Sequence, residues 1–281
     1  MDAILDRLRY RLTRPPKNWG WAGDCGGSRL EAELKTQGFD VEPIRLDPAH
    51  WRGWLERALP TYRGIDYYGA AGMDIFMEKA LEHYMAARLL DLAPGVKYID
   101  VASDGSPTPE IYEELYGCQA WRQDLRYLDG IDGRRIGGNA ARIPLPDGFA
   151  DAMALHCSFE HFEGDSDSAF IREAERLLAP GGRVVIAPLY LSTQYLILTD
   201  PGTWRFSLRP PFPDDPEAHI YFLRGWKNRH GRFYSPTQFA RRVRDHLGAL
   251  SLRLLRLENA AEADPACYLR HIAVLEKNRH G

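Results

Sequence analysis

From residue 98 onward, short apolar runs alternate with stretches of helical spacing, and turn residues separate them. Residues 98–101 predict a short buried strand, and 110–116 a helix. A second strand over 119–124 ends in Asp124, and apolar stretches follow at 136–140 and 143–149. Residues 152–156 predict the fourth strand, 158–162 a single helical turn, and 166–178 a helix stopped by Pro180-Gly-Gly182. The most apolar strand spans 183–189. A helix over 236–247, with Ser235 as N-cap, precedes two closing strands, 250–257 and 268–275, which read as an antiparallel pair. Strand-helix alternation of this kind predicts a mostly parallel sheet covered on both faces.

The first 73 residues follow a different pattern and read as an N-terminal helical and aromatic extension or cap. Leu5, Leu8 and Leu12 mark a short amphipathic helix that ends at Pro15-Pro16. The glycine-rich loop 18–28, with Trp19 and Trp21, follows no hydrophobic strand and is therefore a connector, not a phosphate cradle. A helix over 29–37 and a strand over 39–46 come next, then a helix opened by Asp47-Pro48 that carries Trp51, Trp54 and Leu55. Residues 74–92 predict a long helix from the spacing of Ile75, Leu81, Met85 and Leu89. The expected organisation is thus 1–73 as extension and 74–281 as an α/β domain, interrupted by a proline- and aromatic-rich insertion at about 192–235.

Composition narrows the function classes. The 281 residues are 44% hydrophobic, enough for a large core, and the net charge of −3 gives no global field for nucleic acid or an anionic membrane. Cys25, Cys118, Cys157 and Cys267 are scattered without a C-x-x-C pair, so neither a disulfide framework nor a zinc knuckle is expected. No apolar run reaches the roughly 20 residues of a membrane span, and the amino terminus lacks a secretory apolar segment. A cytoplasmic protein is the expectation.

The chemistry centres on 98–109. There a strand ends in an acid, a turn holding one glycine follows, and a helix begins that tolerates Pro107 or Pro109 in its first turn. Such a junction aims backbone amides and a helix N-terminus at one point, a ligand site in open α/β sheets. The Gly-x-Gly-x-x-Gly spacing is absent, and only Gly105 remains. Downstream, Ala140-Ala-Arg-Ile-Pro-Leu-Pro-Asp-Gly-Phe-Ala-Asp-Ala-Met-Ala-Leu-His-Cys-Ser-Phe-Glu-His-Phe162 precedes Phe170-Ile-Arg-Glu-Ala-Glu-Arg-Leu-Leu-Ala-Pro-Gly-Gly-Arg-Val-Val-Ile186. Taken as a series, residues 98–190 resemble the class I S-adenosylmethionine-dependent methyltransferases, in particular their small-molecule branch.

That resemblance implies a Rossmann-like, seven-stranded, mostly parallel sheet with S-adenosyl-L-methionine across the carboxyl ends of its first strands. By position it implies that Asp100, Ala102, Ser103 and Gly105 hold the methionyl end. Asp124, with Leu125, would accept the ribose hydroxyls, Asn139 and Ala140 would read adenine, and His156 would face the transferred methyl group. The turn is poorer in glycine than the family pattern, and Asn139 stands where aspartate is commoner.

Methyl transfer to a hydroxyl needs alignment and a proton acceptor, and histidine fills the second role at neutral pH. His156 is the first candidate and His161 the second, with structural alternatives open for both; no metal site is expected. The insertion is the expected acceptor site, through Tyr190, Trp204, Arg224, His230, Arg232 and Tyr234, a mixture that also serves homodimer contacts. These residues point to a small acceptor, anionic or sugar-like, and to O-methylation of a glycan building block or secondary metabolite. A non-catalytic methyltransferase-like partner-binding module and an NAD(P)-dependent oxidoreductase remain as alternatives.

Overall fold

The computed structural model describes residues 27–68, 75–103, 105–200, 203, 215–223 and 225–279. Its centre is strand β2 (Lys97–Val101), whose Tyr98, Ile99 and Val101 are fully buried, as a strand covered on both faces must be. β2 pairs in parallel with β3 (Gln119–Asp124) on one side and β6 (Ala150–His156) on the other. Beyond β3 lie β5 (Arg135–Gly137), parallel, and the antiparallel β4 (Gly130–Asp132) at the edge. Beyond β6 lie β7 (Leu178–Ala187), the antiparallel β12 (His271–Lys277), then β11 (Leu250–Leu257) and β1 (Val41–Ile44). The order is β1-β11-β12-β7-β6-β2-β3-β5-β4. Seven of these strands are those the resemblance implies. β4 is the added arm of a hairpin with β5, and β1 is contributed by the first 73 residues.

Each face has its own core. On one, α1 (Ser28–Thr36), α5 (Ser166–Leu177) and α6 (Pro236–Arg242) bring Leu30, Leu34, Phe170 and Phe239 against Ile99, Met153 and Ile186. On the other, α2 (Pro48–Gly64), α3 (Phe76–Leu89) and α4 (Thr108–Tyr116) bring Trp51, Trp54, Tyr84 and Tyr112 against Tyr98, Ala154 and Val185. Residues 28–64 therefore serve both faces, with β1 carrying the chain between them. The Asp47 carboxylate caps α2, accepting from the amides of Ala49 and His50, and Ser235 caps α6 through the Gln238 amide.

The apolar stretch 143–149 forms no strand: Pro144 and Pro146 offer no ladder donors. Arg176 holds this loop instead, donating to the carbonyls of Ile143 and Leu145 and pairing with Asp147 and Glu173. Within 192–235, β8 (Leu196–Thr199), β9 (His219–Phe222) and β10 (Gly231–Phe233) make a separate three-stranded sheet. The expected helix near Leu5 and the loop from Trp19 to Gly26 fall outside the described residues.

Candidate active site

Register puts the two key acids on the same side. Asp100 pairs with Arg122, and Asp124 lies two residues further along β3, so strand alternation sends both side chains to one face. At the carboxyl ends of β3, β5 and β6, a cavity of about 270 Å³ is lined by Ala102, Gln123, Asp124, Leu125, Asn139, Ala140 and His161, among others. Asp124 is 6% exposed and its Oδ1 accepts from the Arg126 amide, which fixes the carboxylate at the strand end. Asn139 turns its Oδ1 onto the Ala141 amide, and Leu125 stands exposed at the rim.

The turn after β2 keeps a glycine-like backbone without a glycine, since Ala102 has φ +54°. An L-residue there costs roughly 1–2 kcal/mol. The Gln123 side chain supports this turn. Its Oε1 accepts from the Ala102 amide at 3.2 Å while its Nε2 donates to the Gly138 carbonyl at 2.5 Å, tying the loops after β2 and β5 together. Ser103 is buried, its amide on the Gln123 carbonyl. Gly105 and Ser106 line a neighbouring cavity of about 620 Å³ with Tyr67 and Tyr68. Asp100 is fully buried. Its Oδ2 accepts from Thr108 Oγ1 at 2.6 Å, whereas Oδ1 has no partner among the described residues, and burial raises its pKa to about 6.

Past the end of β6 lies a buried polar cluster. His156 Nε2 is 3.3 Å from the Tyr98 hydroxyl, and His83 Nδ1 is 2.7 Å from the Tyr62 hydroxyl. The two imidazoles lie 4.6 Å apart, centroid to centroid. Burial first, then the charge of Lys79, keeps His156 neutral, with its pKa lowered to about 3. His83 is lowered as well, by burial and then by His156 and Lys79. Cys157, held at φ +49°, donates from Sγ to Glu160 Oε1 at 3.1 Å and lies 3.5 Å from the Tyr190 hydroxyl. From α3, Lys79 pairs with Glu82 at 2.8 Å with both side chains buried, and Glu78 Oε2 accepts from the amides of Tyr268 and Leu269.

Several expected site residues are elsewhere. His161 does not share the space around His156: its Nδ1 is tied to the His230 carbonyl, and it forms a wall of the first cavity. The His230 ring is buried and held neutral. Arg232 is fully buried and paired with Asp167 at 2.5 Å, and the Tyr234 hydroxyl donates to the same carboxylate. Both therefore clasp the chain at β10 to α5. Trp204 and Arg224 lie outside the described residues. Among the described residues of the expected acceptor set, Tyr190 alone reaches the polar cluster. No group of three His, Cys, Asp or Glu side chains among the described residues is arranged to hold a metal ion. Gln123, Glu78, Lys79, Glu82 and His83 were not anticipated.

The strand order and the cavity at the carboxyl rim fit a class I S-adenosylmethionine-dependent methyltransferase, and the sequence comparisons assign the chain to that class. Residues 102–186 match the sequence profile of a methyltransferase domain. The chain is 27% identical over 200 residues to a demethylmenaquinone methyltransferase of Mycolicibacterium vanbaalenii, covering 66% of this chain and 83% of that protein. It is 32% identical over 90 residues to a ubiquinone/menaquinone biosynthesis C-methyltransferase of a Caulobacter species, covering 31% and 35%. A solved structure, the 1,6-didemethyltoxoflavin-N1-methyltransferase of Burkholderia thailandensis, superposes with a TM-score of 0.46 at 12% identity, over 85% of this chain and 93% of that one.

The residues present fit S-adenosylmethionine. Asp124 provides acceptors at the mouth of a cavity bounded by Ala140 and Leu125. Asp100 keeps a buried carboxylate oxygen unpartnered among the described residues, as a cofactor bearing an ammonium group requires.

Proposed function

We propose that the chain methylates oxygen on a small hydroxylated acceptor bound beside His156. In this reading Asp124 accepts the ribose hydroxyls, Asn139 and Ala140 border the adenine, and Asp100 meets the ammonium of the methionyl end. The observation that carries it is the register that sends Asp100, Asp124 and His156 to one face of the sheet, with the imidazole held neutral at the end of β6. S-adenosylmethionine supplies a methyl group on a cationic sulfur, and that sulfur keeps the electron pair of the broken bond. His156 accepts a hydrogen bond from the acceptor hydroxyl through Nδ1 and takes its proton as the new oxygen–methyl bond forms. A base of depressed pKa suffices, because an alkylated hydroxyl is strongly acidic. Burial of this proton transfer excludes competing water.

A second reading, methyl transfer to a ring carbon of a hydroxylated aromatic, is favoured by the names of the quinone-pathway relatives. Both readings begin with a hydroxyl on His156. Transfer of a ¹³C-methyl group followed by NMR of the product separates them: an oxygen-bound methyl resonance supports the first, and a carbon-bound one replaces it with the second. Absence of transfer to neutral polyols and diphenols alike, from protein that binds the cofactor, would refute both.

A further inference from the structure

We propose that the acceptor is seated by carboxylates on α3 and on the turn after β6, and that this site takes a neutral molecule rich in hydroxyl groups, a vicinal diol or polyol. The proposal deepens the methyl-transfer reading and rests on it.

Five side chains from three parts of the fold share one arrangement, in which one polar atom is anchored and the other has no partner among the described residues. Glu78 is anchored at Oε2 by two backbone amides, at 2.8 and 3.1 Å, and leaves Oε1. Glu82 is anchored at Oε1 by Lys79 and leaves Oε2. Glu160 is anchored at Oε1 by the Cys157 thiol and leaves Oε2. His83 and His156, each anchored by a tyrosine hydroxyl, leave Nε2 and Nδ1. Glu78, Glu82, His83 and Glu160 are at most 5% exposed, while His156 and Cys157 are partly exposed, so the cluster opens at the end of β6.

Leaving such atoms unmatched costs about 1–3 kcal/mol each, more when charged, so an arrangement repeated five times calls for a ligand that satisfies it. A carboxylate oxygen accepts and a protonated carboxyl also donates, and burial raises the pKa of Glu78 and Glu82 toward the protonated form, so that ligand must both donate and accept. An anionic acceptor would find Lys79 already engaged with Glu82 and would stand beside Glu160. A cationic one would meet Lys79, and carboxyls that burial draws toward their neutral form hold a cation poorly. Neighbouring hydroxyl groups satisfy the acceptors without adding charge.

Saturation-transfer NMR on the full chain loaded with S-adenosylhomocysteine tests this with one ring in three charge states: methyl α-D-glucopyranoside, D-glucuronate and D-glucosamine. The neutral glycoside should bind in the millimolar range, and both charged rings at least about tenfold more weakly. Glu82→Gln and, independently, Glu160→Gln should weaken the neutral ring about tenfold with S-adenosylhomocysteine affinity retained, the loss of one hydrogen bond. The proposal is overturned by glucuronate or glucosamine binding as tightly as the glycoside, by no glycoside binding to cofactor-loaded protein, or by variants that bind both ligands unchanged. Those outcomes leave methyl transfer standing. Failure of the wild-type chain to bind S-adenosylhomocysteine removes the underlying reading first.

Discussion

Replacing Asp100 by asparagine should make the protein more stable and a poorer binder of its cofactor. The Asp100 carboxyl is fully buried, and burial lifts its pKa from 3.8 to about 6 in spite of the bond from Thr108. A rise of about two units favours the protonated form by about 3 kcal/mol. Because the native state binds this proton more tightly than the unfolded chain, stability falls as pH rises from about 4 to about 6, and the whole cost is present at pH 7. Asparagine removes that cost but weakens the Thr108 bond, which returns about 1–2 kcal/mol. The net gain is about 1–2 kcal/mol, a few degrees in Tm for a chain of this size. The same substitution removes the negative partner of the cofactor ammonium, a loss of about 10- to 100-fold in affinity. Thermal melts of wild type and Asp100→Asn at pH 7 and near pH 5, with calorimetric titration of S-adenosylhomocysteine, measure both effects. The stability gain should shrink at the lower pH, where the wild-type carboxyl is already protonated. A variant less stable than wild type at pH 7, or one with unchanged affinity, would refute the reasoning.

Other substitutions probe the remaining parts. Arg232→Leu leaves the buried Asp167 with Arg242 and the Tyr234 hydroxyl and should cost about 3–5 kcal/mol, read as a fall in the denaturation midpoint; an unchanged midpoint would show that the clasp between β10 and α5 is dispensable. His156→Ala should lower kcat by about 10²- to 10⁴-fold while S-adenosylhomocysteine still binds, and equal kcat values would remove His156 from the chemistry. With its pKa near 3, His156 should leave the wild-type rate at saturating cofactor free of an inflection near pH 6.5, so a limb there would contradict a histidine held neutral.

Much of the sheet was legible because fully buried parallel strands carry continuous apolar runs, as at Met153 to Leu155 and Val184 to Ile186. The acids closing β2 and β3 were legible for a related reason, as charged residues at the ends of such runs need a functional or surface explanation. β4 was missed because Gly130-Ile-Asp132 is too short to show alternation. Arg232 and Tyr234 were misread as acceptor contacts because aromatic and arginine content does not say which way a side chain faces. Both turn inward to Asp167, a carboxylate 65 residues before Arg232 and 67 before Tyr234. Conversely, Glu78, Lys79, Glu82 and His83 have the i, i+4 spacing of a solvated helical stripe, yet α3 is covered on both sides and buries them. Gln123 gave no signal, since its role depends on two loops that meet only in the folded sheet.

The most direct test of the central claim is calorimetric titration of S-adenosylhomocysteine into the wild-type chain and into Asp124→Ala. One cofactor site per chain is predicted, with affinity at least about tenfold weaker when the carboxylate at the end of β3 is removed. No binding to the wild type, or equal binding to both proteins, would contradict a cofactor seated at the carboxyl rim of this sheet.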